Sequence, residues 1–237
     1  MNDGEKLMND GANPRADRAN QRADTGPTME LVPTPVGPAG ITWYPAPGPA
    51  RAVALLGHGT ATGVEAADLQ ALAAALPPRG VSVALVTQPY RLNRARIGSD
   101  EPSLDTAWRA VWPIAADLGV PVISGGRSAG SQVACRTAEQ LGAHGVLALA
   151  YPLLGPGSPR ELLATGRPTL IVQGTRDPFG RPEQFPALPA EFELVEVAGA
   201  NHTFGTPGGT ARSETMEFIT SVTGEWIERK VPRTIGR

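Results

Sequence analysis

The segment Gly126-Arg127-Ser128-Ala129-Gly130 sets a serine between two glycines in the pattern Gly-x-Ser-x-Gly. A hydroxyl there becomes a usable nucleophile toward a carbonyl carbon if the chain turns sharply from strand to helix. Such a turn holds the serine strained and exposed, and the small residues two positions away let strand and helix approach closely. The flanks suit this geometry, with an apolar run at 120–124 before the motif and a segment of helical period through Val133 and Cys135 after it. The chain holds 28 glycines, so the pattern alone could arise by accident, and its weight comes from the strand before it and the helix after it.

A serine needs a base, and the sequence offers three histidines, His58, His144 and His202. On a sheet that presents its nucleophile in this way, the partners follow in the order serine, acid, histidine. That order sets His58 aside. His144 directly precedes an apolar run and falls at the opposite sheet edge from Ser128. His202, in the small-residue loop Ala198-Gly199-Ala200-Asn201-His202-Thr203-Phe204, follows the last strand-like run and shares the edge with Ser128. Neutral imidazole there can take the serine proton and return it to a leaving group. Between the two, Asp177 is the single aspartate, placed just after the run 169–173, and Glu183 is the fallback acid. A carboxylate at 177 fixes the imidazole tautomer and stabilises the imidazolium, while also suiting a turn before Pro178.

Acyl chemistry also needs donors for a developing oxyanion. The loop Gly57-His58-Gly59-Thr60 follows the first long apolar run, so the backbone N–H of Thr60, with Gly59 as the neighbour able to replace it, is expected to work with that of Ala129. His58 then supports the loop by hydrogen bonding. Gly59, Arg91 and Arg127 are the candidate substrate-binding residues. Arg91, Arg94 and Arg96 lie on the loop 87–103, where they could bind an anionic substrate group or pair with Asp100 and Glu101.

These loops need a frame. Short apolar runs at 41–44, 52–56, 81–86, 120–124, 146–150, 169–173 and 192–197 alternate with helical-period segments at 64–76, 104–118, 129–141 and 213–229. That alternation predicts an α/β fold, a mostly parallel central sheet flanked by helices, with the first strand antiparallel. Right-handed crossovers bring the loops after the strands to one edge, where open sheets bind ligands. Trp108 and Trp112, four apart, read as a helix face on the core, and Cys135 as a small core residue.

The 237 residues suit one domain. Residues 1–28, nearly free of large apolar side chains, read as a disordered tail, and residues 29–237 as the domain. A formal net charge of -2 gives no reason to expect nucleic acid. No apolar run nears the roughly 18 residues of a membrane span, and the N-terminus lacks the apolar stretch of a secretory signal. A lone cysteine fits a reducing compartment, so the expected location is cytoplasmic.

Together the segments LLGHGTATG, GGRSAGSQVA, LIVQGTRDPFG and GANHTF resemble the α/β-hydrolase superfamily, most closely its small, lidless, dienelactone-hydrolase-like branch, over about residues 40–230. The resemblance implies an α/β-hydrolase fold, a triad of Ser128, Asp177 and His202, and oxyanion donors Thr60 and Ala129, with no cofactor and no metal. Dienelactone hydrolases use a cysteine nucleophile, and this chain has serine at that position. Only residues 151–167 are available where many members insert a helical cap, so no large cap domain is expected. The implied activity is hydrolysis of a small carboxylic ester or lactone through an acyl-enzyme. A non-catalytic interaction module, or an acyltransferase using the same triad, is the alternative.

Overall fold

Strand residues that are apolar at nearly every position demand cover on both faces of the sheet, and helices supply it here. The computed structural model describes residues 27–93, 100–154, 159–206 and 212–231. Its strands are β1 (Thr28–Val32), β2 (Ala39–Tyr44), β3 (Ala52–Gly57), β4 (Val81–Thr87), β5 (Val122–Arg127), β6 (Gly145–Leu149), β7 (Thr169–Gly174) and β8 (Phe192–Val197). They form one eight-stranded sheet in the order β1-β2-β4-β3-β5-β6-β7-β8. The first two strands run antiparallel to their neighbours, and every pairing from β4 through β8 is parallel.

The helices are α1 (Ala67–Ala75), α2 (Pro89–Leu92), α3 (Glu101–Ala116), α4 (Ala129–Leu141), α5 (Pro159–Leu163) and α6 (Arg212–Lys230). Successive strand side chains point to opposite faces. Val53 and Leu55 of β3 join Trp108, Trp112 and Val133 in one core, under α3 and α4. Ala52, Ala54 and Leu56 join Leu69, Leu72, Ile219 and Trp226 in the other, under α1 and α6. Cys135 lies wholly inside the first core, where burial pushes its thiol far above the ordinary range. Among the described residues, no helix is long and apolar enough to cross a membrane.

The predicted strands recur with small shifts, and two departures have clear causes. β1 was not expected: it opens at Thr28, inside the stretch read as a tail, and residues 1–26 of that stretch lie outside the described residues. Its Met29 and Leu31 are exposed, because an edge strand pairs on one side only and needs little apolar patterning. β5 begins two residues later than the run at 120–124 suggests and continues through Gly125 and Gly126 to Arg127. These glycines belong to the sheet, since a Cβ on Gly125 would sit 2.7 Å from the Leu147 carbonyl oxygen of β6. Helix α3 also starts earlier than expected, at Glu101, because the Asp100 carboxylate caps it by accepting from the Ser103 N–H at 3.0 Å.

Strand order reverses at β3, with β4 on one side of it and β5 on the other. The connections leaving β3 and β5 lead to helices on opposite faces of the sheet, the arrangement that marks the usual ligand position in an open α/β sheet. Between β6 and β7 the described residues hold only the short helix α5, so no large cap covers this edge.

Candidate active site

The turn from β5 into α4 is built from three glycines and one strained serine. Ser128 has φ 51° and ψ −122°, a backbone conformation that side chains rarely adopt. A Cβ on Gly126 would lie 2.4 Å from the Gly57 carbonyl oxygen, and one on Gly130 would lie 2.5 Å from the Gly57 carbonyl carbon and oxygen. Backbone therefore touches backbone where β5, α4 and the end of β3 meet. The Ser128 N–H donates to the Leu149 carbonyl at 3.0 Å, and the Ser128 carbonyl accepts the N–H of Ser131 at 2.9 Å. The strain is thus held from both sides, and the hydroxyl stands clear of the turn.

His202 Nε2 lies 3.0 Å from Ser128 Oγ, and His202 Nδ1 lies 2.8 Å from Asp177 Oδ2. Asp177 is buried, and both its oxygens are engaged: Oδ1 accepts the Phe179 N–H at 2.8 Å, and Oδ2 accepts Gln173 Nε2 at 3.0 Å as well as the imidazole. With three donors directed at its two oxygens, Asp177 acts as the acceptor toward His202, which makes Nδ1 the N–H of the ring and leaves Nε2 able to accept the serine proton. The loops carrying Asp177 and His202 are tied together: the Arg176 N–H donates to the Ala200 carbonyl at 2.9 Å, and the Gly199 N–H donates to Thr175 Oγ1 at 2.8 Å. A Cβ on Gly174 would sit 2.4 Å from the Ala200 carbonyl oxygen, so only glycine allows this approach.

Two of these groups escaped the sequence reading. Gln173 follows the apolar run 170–172 of β7 and is wholly buried, and its side chain accepts the Tyr151 N–H at 2.8 Å while donating to Asp177 and to the Gly180 carbonyl. The signal was there: a buried amide in such a run must find partners. Phe179 packs against the His202 imidazole at a 59° tilt with ring centroids 4.6 Å apart and remains 46% exposed, so it presents an apolar surface beside His202.

The loop after β3 is held from below. His58 is buried, its Nε2 accepts the Gln88 N–H at 3.1 Å, and its Nδ1 donates to the Gly59 carbonyl at 2.8 Å. Burial holds this imidazole below its ordinary pKa, which keeps it neutral and structural. Tyr90 Oη also points at the Gly59 carbonyl, at 3.4 Å. In a trans peptide the N–H opposes the C=O, so the Thr60 N–H faces away from His58 and Tyr90. Ala129 is the first residue of α4, where an N–H has no carbonyl one turn back to meet. Gly59 lies against the nucleophile, since a Cβ there would be 3.2 Å from Ser128 Cβ and 3.0 Å from Arg127 Nη1.

The described arginines among the substrate-binding candidates, Arg91 and Arg127, both have protein partners. Arg91 pairs with Glu65 at 2.9 Å, and neither Asp100 nor Glu101 is its partner. Arg94 and Arg96 lie outside the described residues. Arg127 is only 3% exposed and turns its guanidinium inward, because Asp68, Thr62 and the His202 carbonyl receive it there. His144 donates to the Lys230 carbonyl at 2.9 Å, remote from Ser128. Among the described residues, no cluster of three or more His, Cys, Asp or Glu could hold a metal.

A family model described as an alpha/beta hydrolase domain matches residues 50–228. The chain belongs to the alpha/beta hydrolase family. No curated protein is similar enough in sequence to count as a match. Among solved structures this hydrolase resembles a serine hydrolase without a lid from Xanthomonas campestris, with 20% identity, a TM-score of 0.72 and coverage of 89% of this chain and 97% of that one. Est1E from Butyrivibrio proteoclasticus matches with 13% identity, a TM-score of 0.71 and coverage of 88% and 100%. A dienelactone hydrolase from Anabaena variabilis matches with 19% identity, a TM-score of 0.63 and coverage of 86% and 99%. The fold shared with these structures is that of an alpha/beta hydrolase.

Proposed function

We propose that this hydrolase cleaves a small carboxylic ester or lactone through an acyl-enzyme on Ser128. The observation that carries the reading is the unbroken relay in which Ser128 Oγ meets His202 Nε2 at 3.0 Å and His202 Nδ1 meets Asp177 at 2.8 Å. Ser128 Oγ attacks the carbonyl carbon as its proton passes to His202 Nε2, and the carbonyl oxygen takes the negative charge beside the N–H groups of Ala129 and Thr60. Asp177 stabilises the imidazolium. His202 then gives the proton to the leaving alkoxide as the carbon–oxygen bond breaks, and acyl-Ser128 remains. Water repeats the sequence: its proton passes to His202, its oxygen attacks the acyl carbon, and Ser128 regains a proton as the acid leaves.

The substrate class is supported by what surrounds the relay. The described residues between β6 and β7 build no large cap over Ser128, and the exposed Phe179 ring offers one apolar face, enough for a short acyl or alcohol group. A fluorophosphonate probe and p-nitrophenyl acetate test the reading. The parent protein is expected to be labelled and active, and Ser128→Ala to be neither. A folded parent that takes no label would instead make the chain a binding module on a hydrolase fold.

A further inference from the structure

Arg127 occupies the variable position directly before the nucleophile, and its side chain is almost wholly buried. Each guanidinium nitrogen reaches a different segment: Nε donates to Asp68 Oδ2 at 3.0 Å, Nη1 to Thr62 Oγ1 at 3.0 Å, and Nη2 to the His202 carbonyl at 2.7 Å. Asp68 sits at the start of α1, Thr62 on the loop after β3, and His202 on the loop after β8.

We infer that Arg127 is a positioning residue that fixes the backbone of His202 relative to Ser128 and so aims the imidazole at the serine hydroxyl. The inference rests on Ser128, His202 and Asp177 forming the reactive triad. A planar guanidinium is suited to this task, because its donors leave in fixed directions and lose little freedom per bond formed. Its position in the chain makes the coupling short. The residue bonded covalently to Ser128 is hydrogen-bonded to the main chain of the base, so a shift in one loop is transmitted to the other.

Asp68, itself 3% exposed, orients the guanidinium from the opposite side. Such a buried ion pair is poorly explained by stability alone, since apolar residues of similar volume often serve as well. It is explained if the fork must hold one orientation. Gly59 fits the same account: a Cβ there would crowd Arg127 Nη1 at 3.0 Å. The inward fork also replaces the expectation that Arg127 binds substrate.

The test compares the parent with Asp68→Asn/Arg127→Met, which removes both charges together and strands neither, with Arg127→Lys, and with Thr62→Val, which deletes one of the three bonds. Each is assayed on neutral p-nitrophenyl acetate and anionic mono-p-nitrophenyl succinate, with thermal melts and fluorophosphonate labelling of Ser128 alongside. The double variant is expected to remain folded and keep KM within about twofold on both esters, while kcat falls on the order of 100-fold, the scale of a misplacement near 1 Å. Arg127→Lys is expected to regain part of kcat, and Thr62→Val to lose a smaller part, again with KM little changed.

A folded double variant with kcat within about threefold of the parent overturns the inference, even if its melting temperature drops. A loss confined to KM for the anionic ester also overturns it and restores Arg127 as a substrate-binding residue. If the parent itself takes no label at Ser128, the triad reading fails and Arg127 loses its role with it. If the parent is labelled and the variants match it, the positioning role alone fails.

Discussion

At Asp177, three donors converge on two oxygens: the Phe179 N–H, the Gln173 amide and the His202 imidazole. An amide at 177 has one oxygen to offer, and it carries no charge to stabilise the imidazolium. Asp177→Asn is therefore expected to lower kcat for p-nitrophenyl acetate by about 10³ to 10⁴-fold at neutral pH. Activity within tenfold of the parent would mean that the carboxylate does not serve the base. His58 makes a different prediction, about stability. Burial lowers its pKa below the ordinary 6.5, so in mildly acid solution the unfolded chain takes up a proton that the folded one refuses. That contribution is full above about pH 6.5 and is lost as the pH falls through the folded value, at no more than about 1.4 kcal/mol per pH unit. Melts at pH 7, 6 and 5 should show a steeper decline in the parent than in His58→Gln, and equal slopes would remove His58 as a source of acid sensitivity.

At the scale of elements, the sharp turn depends on the contact among Gly57, Gly126 and Gly130. Gly130→Ala must push against the Gly57 carbonyl at 2.5 Å, with no flexible side chain there to give way. The expected cost is about 1–3 kcal/mol, read as a lower urea midpoint, together with slower fluorophosphonate labelling as Ser128 is displaced. An unchanged midpoint would show that the backbone relaxes freely. This turn is also where the sequence was most legible, because Gly-x-Ser-x-Gly names the crowding directly, and chain order then singled out His202 and Asp177. The supports were harder to read. Gln173, Arg127 and Asp68 act through side-chain directions set by packing, and sequence spacing carries no record of which loop an inward arginine will meet. β1 was missed for the opposite reason, since an exposed edge strand imposes too little pattern to be seen.

Across the whole molecule, Ser128 lies at the end of β5, beside the point where strand order reverses, and the described residues place no large cap above it. A site of this kind needs no lid to move before substrate enters. Acetate and butyrate p-nitrophenyl esters are expected to exceed the palmitate ester in kcat/KM, by about tenfold or more if the longer chain finds no apolar cover. The rate should also rise smoothly as substrate passes its solubility limit. A jump in rate at that limit, or a preference for palmitate, would require a cover closing over the acyl chain.

His202 hangs from β8, which among the described residues is an edge strand paired only with β7. The nucleophile turn, by contrast, rises from the middle of the sheet and is encoded 74 residues earlier in the chain than its partner. During synthesis Ser128 therefore leaves the ribosome well before His202. The serine hydroxyl and the imidazole meet across the whole parallel half of the sheet, and the pairing of β8 with β7 is what carries His202 to within 3.0 Å of Ser128.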